Sequence, residues 1–354
     1  MSSKKIVKIG DVMIGGGNPI AIQSMTNVNP IDENALTNQI KTLENEGCQI
    51  IRLAVPSMEA AEIFGRIKRK VEIPMVADIH FDYRLAIEAI NQGADKIRIN
   101  PGNIGSRENL EKVVNAAKNH QIPIRVGVNS GSLEKDIVMK RGCVDAEGLA
   151  ESALRNLKLI EDMGYDNLVV SLKSSDVKMN YEAHKLVASM TDHPIHIGIT
   201  EAGTVKSGKL KSAVGLGSLI LAGVGDTMRV SLTADPIEEV RFAKDILYSI
   251  GLRKDRVNLV SCPTCGRTKI NLEKLANDVE HALEKEGIHD PITVAVMGCV
   301  VNGPGEAKEA DYGLAGGDGK GIIFSKGEVI KIVKEEDLLE ELLSIIRRDR
   351  DLLK

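Results

Sequence analysis

The stretch that decides the fold runs from Pro74 to Asn129: PMVADIHFDYRLAIEAINQGADKIRINPGNIGSRENLEKVVNAAKNHQIPIRVGVN. Three short runs rich in β-branched residues stand in it, PMVADI (Pro74–Ile79), KIRIN (Lys96–Asn100) and PIRVGVN (Pro123–Asn129). Helical patterns separate them. The plainest, SRENLEKVVNAAKNH (Ser106–His120), opens on a capping serine and repeats apolar residues at three- and four-residue spacing. Strands separated by helices pair in parallel, because the helix carries the chain back to the edge from which the strand began.

The rhythm continues on both sides. Upstream lie IAIQSM (Ile20–Met25) and QIIRLAV (Gln49–Val55); downstream lie NLVVSL (Asn167–Leu172), PIHIGIT (Pro194–Thr200) and TMRVSL (Thr227–Leu232). A first helix, Asp32–Gly47, stops at a glycine, and Ser231–Gly251 carries the eighth. Eight such units within residues 1–250 predict an α/β fold, a closed (β/α)8 TIM-type barrel. An open doubly wound sheet is the runner-up. The count of eight and the lack of a G-x-G-x-x-G after the first strand disfavour it.

After Gly251 the pattern changes. RVNLVSCPTC reads as a strand entering a cysteine loop, Asn271–Gly287 as a helix and Ile292–Cys299 as a second strand. Gly321–Val333 reads as a hairpin turning at SKGE, and Glu335–Leu353 as an amphipathic closing helix. Residues 251–354 are therefore expected to form a smaller α+β domain that carries the cysteines.

Composition narrows the function. Aromatics are only 3% and Trp is absent, which argues against base-stacking platforms. A net charge of −4 argues against a general nucleic-acid binder. The opening MSSKKIVKIGDVMIGGG resembles neither a signal nor a transit peptide. No apolar run reaches the roughly 18 residues of a membrane helix. A cytoplasmic location is expected, so the five cysteines read as thiols or metal ligands rather than disulfides.

Polar residues recur at alternate positions late in the barrel strands, where one face is shared. Asp78 and His80 end the third, Arg98 and Asn100 the fourth; Arg125 and Asn129 lie along the fifth, Arg229 and Ser231 along the eighth. Arg52 interrupts the second strand, Lys173 follows the sixth and Glu201 the seventh. Enzyme sites of this fold lie at the carboxyl ends of the strands. Five cations (Arg52, Arg98, Arg125, Lys173, Arg229) against two acids suit a phosphate- or diphosphate-bearing ligand, because each guanidinium fork engages two oxygens. The competing account makes each arginine a rim ion pair and His80 a satisfied core histidine. It is harder to hold for the whole set than for any one member.

Cys262, Cys265 and Cys299 form a C-x2-C-x33-C pattern. Zinc would normally ask for a second close pair, and a redox C-x-x-C for a βαβ context. Three thiolates on turns after two strands suit an iron–sulfur cluster. Spacing leaves all three readings open. Cys48 reads as a small buried hydrophobe and Cys143 as a barrel-loop residue.

The blocks IAIQSMTN, IIRLAVP, ADIHFDY, KIRINPGNIG, IRVGVNSGSL, GITEAG, SCPTCGRT and GCVVNGPGEAKEADYG occur in this order along nearly the whole chain. Together they resemble the bacterial 4-hydroxy-3-methylbut-2-enyl diphosphate synthases, in their shorter two-domain form. The resemblance implies an iron–sulfur oxidoreductase of the methylerythritol phosphate route to isoprenoids. It would open the ring of 2-C-methyl-D-erythritol 2,4-cyclodiphosphate and remove water, using two electrons from flavodoxin or ferredoxin. It implies a [4Fe-4S] cluster on Cys262, Cys265, Cys299 and Glu306, and a homodimer in which one subunit's cluster domain closes over the other's barrel. In that frame Arg52, Arg98, Arg125, Lys173, Arg229 and Ser231 clamp the diphosphate. Asp78, His80, Asn100, Asn129 and Asn302 position the substrate, and Glu201 helps the hydroxyl leave. The alternative is a phosphate-binding barrel lyase or transferase with a structural zinc domain.

Overall fold

A computed structural model describes residues 3–299 and 303–352. The chain resolves into two compact units, Met1–Leu252 and Arg253–Lys354.

The first unit opens with an antiparallel hairpin of β1 (Ile6–Ile9) and β2 (Val12–Gly15). Eight strands follow: β3 (Ala21–Met25), β4 (Ile50–Ala54), β5 (Met75–Asp78), β6 (Lys96–Ile99), β7 (Ile124–Asn129), β8 (Leu168–Lys173), β9 (Ile195–Gly198) and β10 (Thr227–Arg229). They close in sequence order into a barrel, every pair parallel, so the open-sheet alternative is excluded. Alternation along the strands has a simple outcome. Residues such as Ile22, Ile51, Ala77, Ile97, Val126, Val170 and Ile197 share one core with the helix residues Leu36, Ile40, Phe64, Val113 and Leu157. The other parity faces the barrel axis.

The helices begin where side chains satisfy their orphan N–H groups. Asp32 caps Glu33–Asn45 through Ala35 N, Ser106 caps Arg107–His120 through Asn109 N, and Asp235 caps Pro236–Ser249 through Ile237 N. The first ends in a turn at Gly47, whose φ of +102° is open to glycine at little steric cost.

The hairpin adds to the eight units that periodicity predicts. Its Val7, Ile9 and Ile14 are buried with Ala21, Ile50, Val76 and Val169, axial residues near the strand starts. This plug seals the amino-terminal end of the barrel and leaves the carboxyl ends of the strands as the mouth.

The second unit is a five-stranded sheet in the order β11 (Asn258–Ser261), β12 (Thr293–Met297), β13 (Tyr312–Gly316), β14 (Lys320–Ser325), β15 (Glu328–Lys334). The first three run parallel and the last two antiparallel. The hairpin expected at SKGE is β14–β15, its two loop residues Lys326 and Gly327 both at positive φ (49° and 82°), as a tight primed turn requires. Helices Leu272–Lys285 and Leu338–Leu352 pack one face through Leu272, Val279, Leu283, Leu342 and Ile346. A smaller cluster of Ala295, Met297, Ala307, Ala315 and Phe324 fills the other face, with Cys262 at its border.

Candidate functional site

The barrel axis, an apolar stack in most proteins of this fold, is charged here. Register brings Arg52 level with Met25 and Val76, Asp78 with Arg98, and Arg98 with Arg125. Asn129 pairs with Lys173, and Gly198 with Arg229. Asp78, wholly enclosed, is the hub. Arg52 Nε lies 3.7 Å from its Oδ2, Arg98 Nη1 lies 3.3 Å from its Oδ1, and His80 Nε2 lies 3.5 Å from its Oδ2. Burial alone would raise the Asp78 pKa. The cations of Arg52, Arg98 and Arg125 and the His80 hydrogen bond outweigh it and hold the carboxyl well below its ordinary range.

The guanidiniums are under-satisfied. Arg52 donates to the Met25 thioether at 3.1 Å and 2.7 Å, and Arg229 reaches the same sulfur at 3.7 Å. Sulfur of this kind is a weak acceptor. Arg125 is 0% exposed, and its Nε, Nη1 and Nη2 all lack a hydrogen-bond partner. Arg52 Nη1, Arg98 Nε and Arg229 Nε are orphaned as well. Burial pushes Arg52 down to about 10, with Asp78 opposing. Burial, reinforced by neighbouring guanidiniums, pulls Arg125 and the half-buried Lys173 well below their usual values. Unpaired buried donors are costly. The arrangement can accept an anion whose oxygens satisfy several of these donors together.

Glycine makes room for this arrangement. A Cβ at Gly127 would sit 2.6 Å from Arg98 Nε, so the bare backbone of β7 is what admits that guanidinium.

Other expected residues lie at the rim. Asn100 Oδ1 accepts from Gly102 N at 3.1 Å and caps a short turn, so its amide nitrogen is the end left to address a ligand. Asn129 ends β7, and Ser231 stands two residues beyond β10, half-buried. His80 is exposed beside Asp78. Glu201 is exposed in the loop after β9, with a left-handed φ of 51°, which is uncommon for a residue with a side chain.

Five participants escaped the sequence reading: Lys96, Met25, Gln23, His196 and Glu239. Lys96 is wholly buried at the start of β6, with Gln23 Oε1 at 3.5 Å. His196 is buried on β9, and its Nδ1 meets Thr227 Oγ1 at 2.8 Å. Glu239, from the eighth helix, accepts from Leu232 N at 2.8 Å and lies 3.6 Å from Arg229. Extending the period of two from Asn100 and Arg98 one step back would have found Lys96.

In the second unit the thiols sit on turns. Cys262 follows β11 and Cys299 lies two residues past β12; these strands are adjacent and parallel, with Ser261 opposite Val296. Both cysteines therefore leave the same edge of the sheet. Gly298 N donates to Cys262 Sγ at 3.3 Å. The exposed Cys265 receives Thr268 Oγ1 at 4.0 Å, and its thiol pKa is lowered by the Arg267 backbone N–H, Thr268 and the Arg267 side chain. Glu306 ends the short helix Gly303–Glu306 and is exposed. Asn302 lies outside the described residues. Among the described residues no group of three or more His, Cys, Asp or Glu side chains converges as a metal centre. The donor chemistry nonetheless fits a soft metal: three unbridged thiols, two of them receiving N–H or O–H donors and one, Cys265, with its pKa lowered. Cys48 is buried, its thiol pushed up to about 12 by burial, and Cys143 is exposed.

Fold and site together define a TIM-barrel protein whose axis carries a cluster of buried, under-satisfied guanidiniums around Asp78. Solved structures agree on the fold. Dihydropteroate synthase from Stenotrophomonas maltophilia matches at a TM-score of 0.51 and 15% identity, covering 70% of this chain and 99% of its own. The type I 3-dehydroquinate dehydratase from Clostridium difficile matches at 0.51 and 15%, covering 71% and 98%.

Sequence comparison is more particular. The model described as the GcpE TIM-barrel domain matches residues 4–244, and that described as the GcpE protein C-terminal domain matches residues 258–348. The chain belongs to the GcpE family. A relative from Caldanaerobacter subterraneus subsp. tengcongensis is 58% identical over 342 residues, covering 97% of this chain and 96% of its own. One from Fusobacterium nucleatum is 54% identical over 347 residues, covering 98% and 97%. Both are named 4-hydroxy-3-methylbut-2-en-1-yl diphosphate synthase (flavodoxin).

Proposed function

We infer that this chain is an iron–sulfur oxidoreductase that performs the reaction for which its relatives are named. It converts 2-C-methyl-D-erythritol 2,4-cyclodiphosphate to 4-hydroxy-3-methylbut-2-enyl diphosphate in the methylerythritol phosphate pathway. The ring carbon–oxygen bond opens, one hydroxyl leaves as water, and two electrons enter. The observation that carries the reading at the level of the site is the set of orphaned guanidinium donors at the barrel mouth, headed by Arg125.

The diphosphate docks on Arg52, Arg98, Arg125, Lys173, Arg229 and Ser231. The four guanidiniums exchange a weak thioether acceptor and unpaired donors for phosphate oxygens, a charge-assisted contact. Asp78 holds Arg52 and Arg98 in place and orients His80, which with Asn100, Asn129 and Asn302 addresses the carbon skeleton and its hydroxyls. Glu201 delivers the proton to the departing hydroxyl. A Glu201→Gln protein that binds substrate, keeps its cluster and turns over at the wild-type rate would overturn that role.

Cys262, Cys265, Cys299 and Glu306 hold a [4Fe-4S] cluster. When bound it supplies electrons singly and a Lewis-acidic iron. Gly298 N–H donates to the Cys262 sulfur, and the donors around Cys265 lower its thiol pKa. The electron donor is flavodoxin, which appears in the relatives' names, or ferredoxin. No helix among the described residues is long and apolar enough to cross a membrane, and we place the enzyme in the cytoplasm. It acts as a homodimer in which one subunit's cluster domain covers the other's barrel. Sedimentation that shows only monomers at working concentration would remove that part of the reading.

Iron, sulfide and Mössbauer analysis of anaerobically purified protein tests the whole. Four irons per chain are expected, one distinct from the other three and altered by the cyclodiphosphate. A colourless protein with one zinc and no sulfide would instead support a barrel lyase or transferase with a structural zinc domain.

A further inference from the structure

One charged group in the barrel serves none of the roles assigned above. Lys96 opens β6, wholly buried, on the axial parity of Arg98 and Asn100. Its Nζ meets Gln23 Oε1 at 3.5 Å, the outer edge of hydrogen-bond reach. The charged neighbours acting on it are the guanidiniums of Arg125 on β7 and Arg52 on β4.

The carboxylates that face this interior are taken. Asp78 on β5 is held by Arg52, Arg98 and His80, and Glu239 by Leu232 N and Arg229. His196 on β9 is kept neutral, its pKa lowered by burial and by Arg125, Lys96, Lys173 and Arg52. Six basic side chains, Arg52, Lys96, Arg98, Arg125, Lys173 and Arg229, therefore face two acids. A guanidinium does not surrender its proton inside a protein, but a desolvated amine does. Of the two amines in this set, Lys96 is fully buried and Lys173 only partly so.

We propose that Lys96 is a further diphosphate-recognition residue, a neutral amine in the ligand-free enzyme that takes a proton from solvent when the diphosphate docks above it. The proposal rests on the diphosphate reading of the mouth. Lys96 is a positioning residue: it acts beside Gln23 and beneath Arg125. The step is the conversion of R–NH2 and a solvent proton to R–NH3+; no bond to substrate forms or breaks. Two negative charges entering the mouth offset the guanidiniums that repel the ammonium, so the complex holds a proton that the empty barrel cannot.

The sign follows. Burial and the Arg125 and Arg52 cations hold the Lys96 pKa well below its usual value in the empty barrel. The bound anion raises it. Between the two values binding takes up a proton, so affinity falls as pH rises through that window. Each phosphorus of a cyclic diphosphate carries one strongly acidic oxygen, ionised throughout, so the ligand contributes no proton of its own. Lys173 is pulled down by burial and by the same guanidiniums, and contributes at the rim. The informative quantity is therefore the difference made by Lys96 alone.

Anaerobic titration calorimetry of the cluster-loaded enzyme with the cyclodiphosphate, at one pH in buffers of unequal ionisation enthalpy, counts protons directly. Wild type is expected to take up about half a proton or more beyond Lys96→Met. Lys96→Met should bind about tenfold more weakly at the acid end of the window and converge with wild type at the alkaline end. Its ligand-free Tm should rise or hold, because a buried amine has become a methionine. Equal proton uptake in the two proteins, or a lowered Tm with uptake unchanged, overturns the proposal. Should that variant fail to fold, Lys96→Gln is measured in its place, and proton uptake equal to wild type's overturns the proposal. Wild type that does not bind the cyclodiphosphate at all would overturn the diphosphate reading of the mouth instead.

Discussion

In the barrel, the charged side chains stand on strands whose register fixes them before a ligand arrives. In the second unit, the thiols stand on turns rather than on strands. Arg125 is enclosed with every donor unpaired, whereas Cys265 is exposed on a loop. The two regions place the cost of order at different times. The barrel meets it on folding, by holding like charges together around one hub, Asp78. On the cluster reading proposed above, the cysteine turns would meet it when the metal binds, because a cluster supplies the bonds that draw its ligands together. A site for a rigid anion gains from preorganisation. A site for a cluster assembled in place must admit it first.

The largest effect should come from the region that is not preorganised. Cys265→Ser should lose iron and sulfide and lower turnover by at least about 1,000-fold, because one of few ligands is gone and the electrons have no route. The barrel itself should be indifferent: its Tm should stay near wild type, and its arginines should still bind the cyclodiphosphate, weakened about tenfold by the lost contact with iron. Iron content and calorimetry on the same preparation check both halves. Loss of substrate binding with the cluster would show that the two regions are built as one.

Arg125→Met should act in the opposite manner. Removing a buried, unpaired cation should raise ligand-free stability by about 1–4 kcal/mol, as replacing buried charge with apolar groups often does. The same change should weaken diphosphate binding by about 2–5 kcal/mol, since a charge-assisted contact is lost. Iron content should not change. Thermal unfolding and binding moving in contrary directions is the signature of stored electrostatic strain; movement in the same direction would make Arg125 a structural residue.

Why the two regions were unequally legible follows from the same contrast. The barrel announced itself because strand and helix periods are local, and alternation marked Asp78 with His80 and Arg98 with Asn100. Lys96 was missed because a lysine at a strand's first position looks like a solvated flank. Met25 was missed because a thioether reads as core until register sets it opposite Arg52. Glu239 was hidden in the polar face expected of an amphipathic helix. The hairpin Ile6–Gly15 was masked by its glycines and by attention to targeting signals. The cysteines were plain from spacing, but spacing alone did not choose between zinc, cluster and redox pair. That choice rested on resemblance, because the convergence that would settle it is not a property of the turns themselves.

The smallest effect gives the finest test. Gly127→Ala puts a Cβ 2.6 Å from Arg98 Nε and 3.1 Å from its Cζ. The obstacle is the end of a long side chain, so the guanidinium shifts and the barrel survives. What moves is its 3.3 Å contact with Asp78 and its aim at the mouth. Overpacking of this kind costs about 1–3 kcal/mol, so KM should rise roughly tenfold while iron content stays full. Gly266→Ala, in the turn just after Cys265, adds a Cβ with no heavy atom within 4 Å and no positive φ to strain. Its KM and iron content should stay within about twofold of wild type. If the barrel glycine proves silent and the turn glycine matters, then the mouth is the adaptable region and the cysteine turn the rigid one. The order in which the two sites are built would then be reversed.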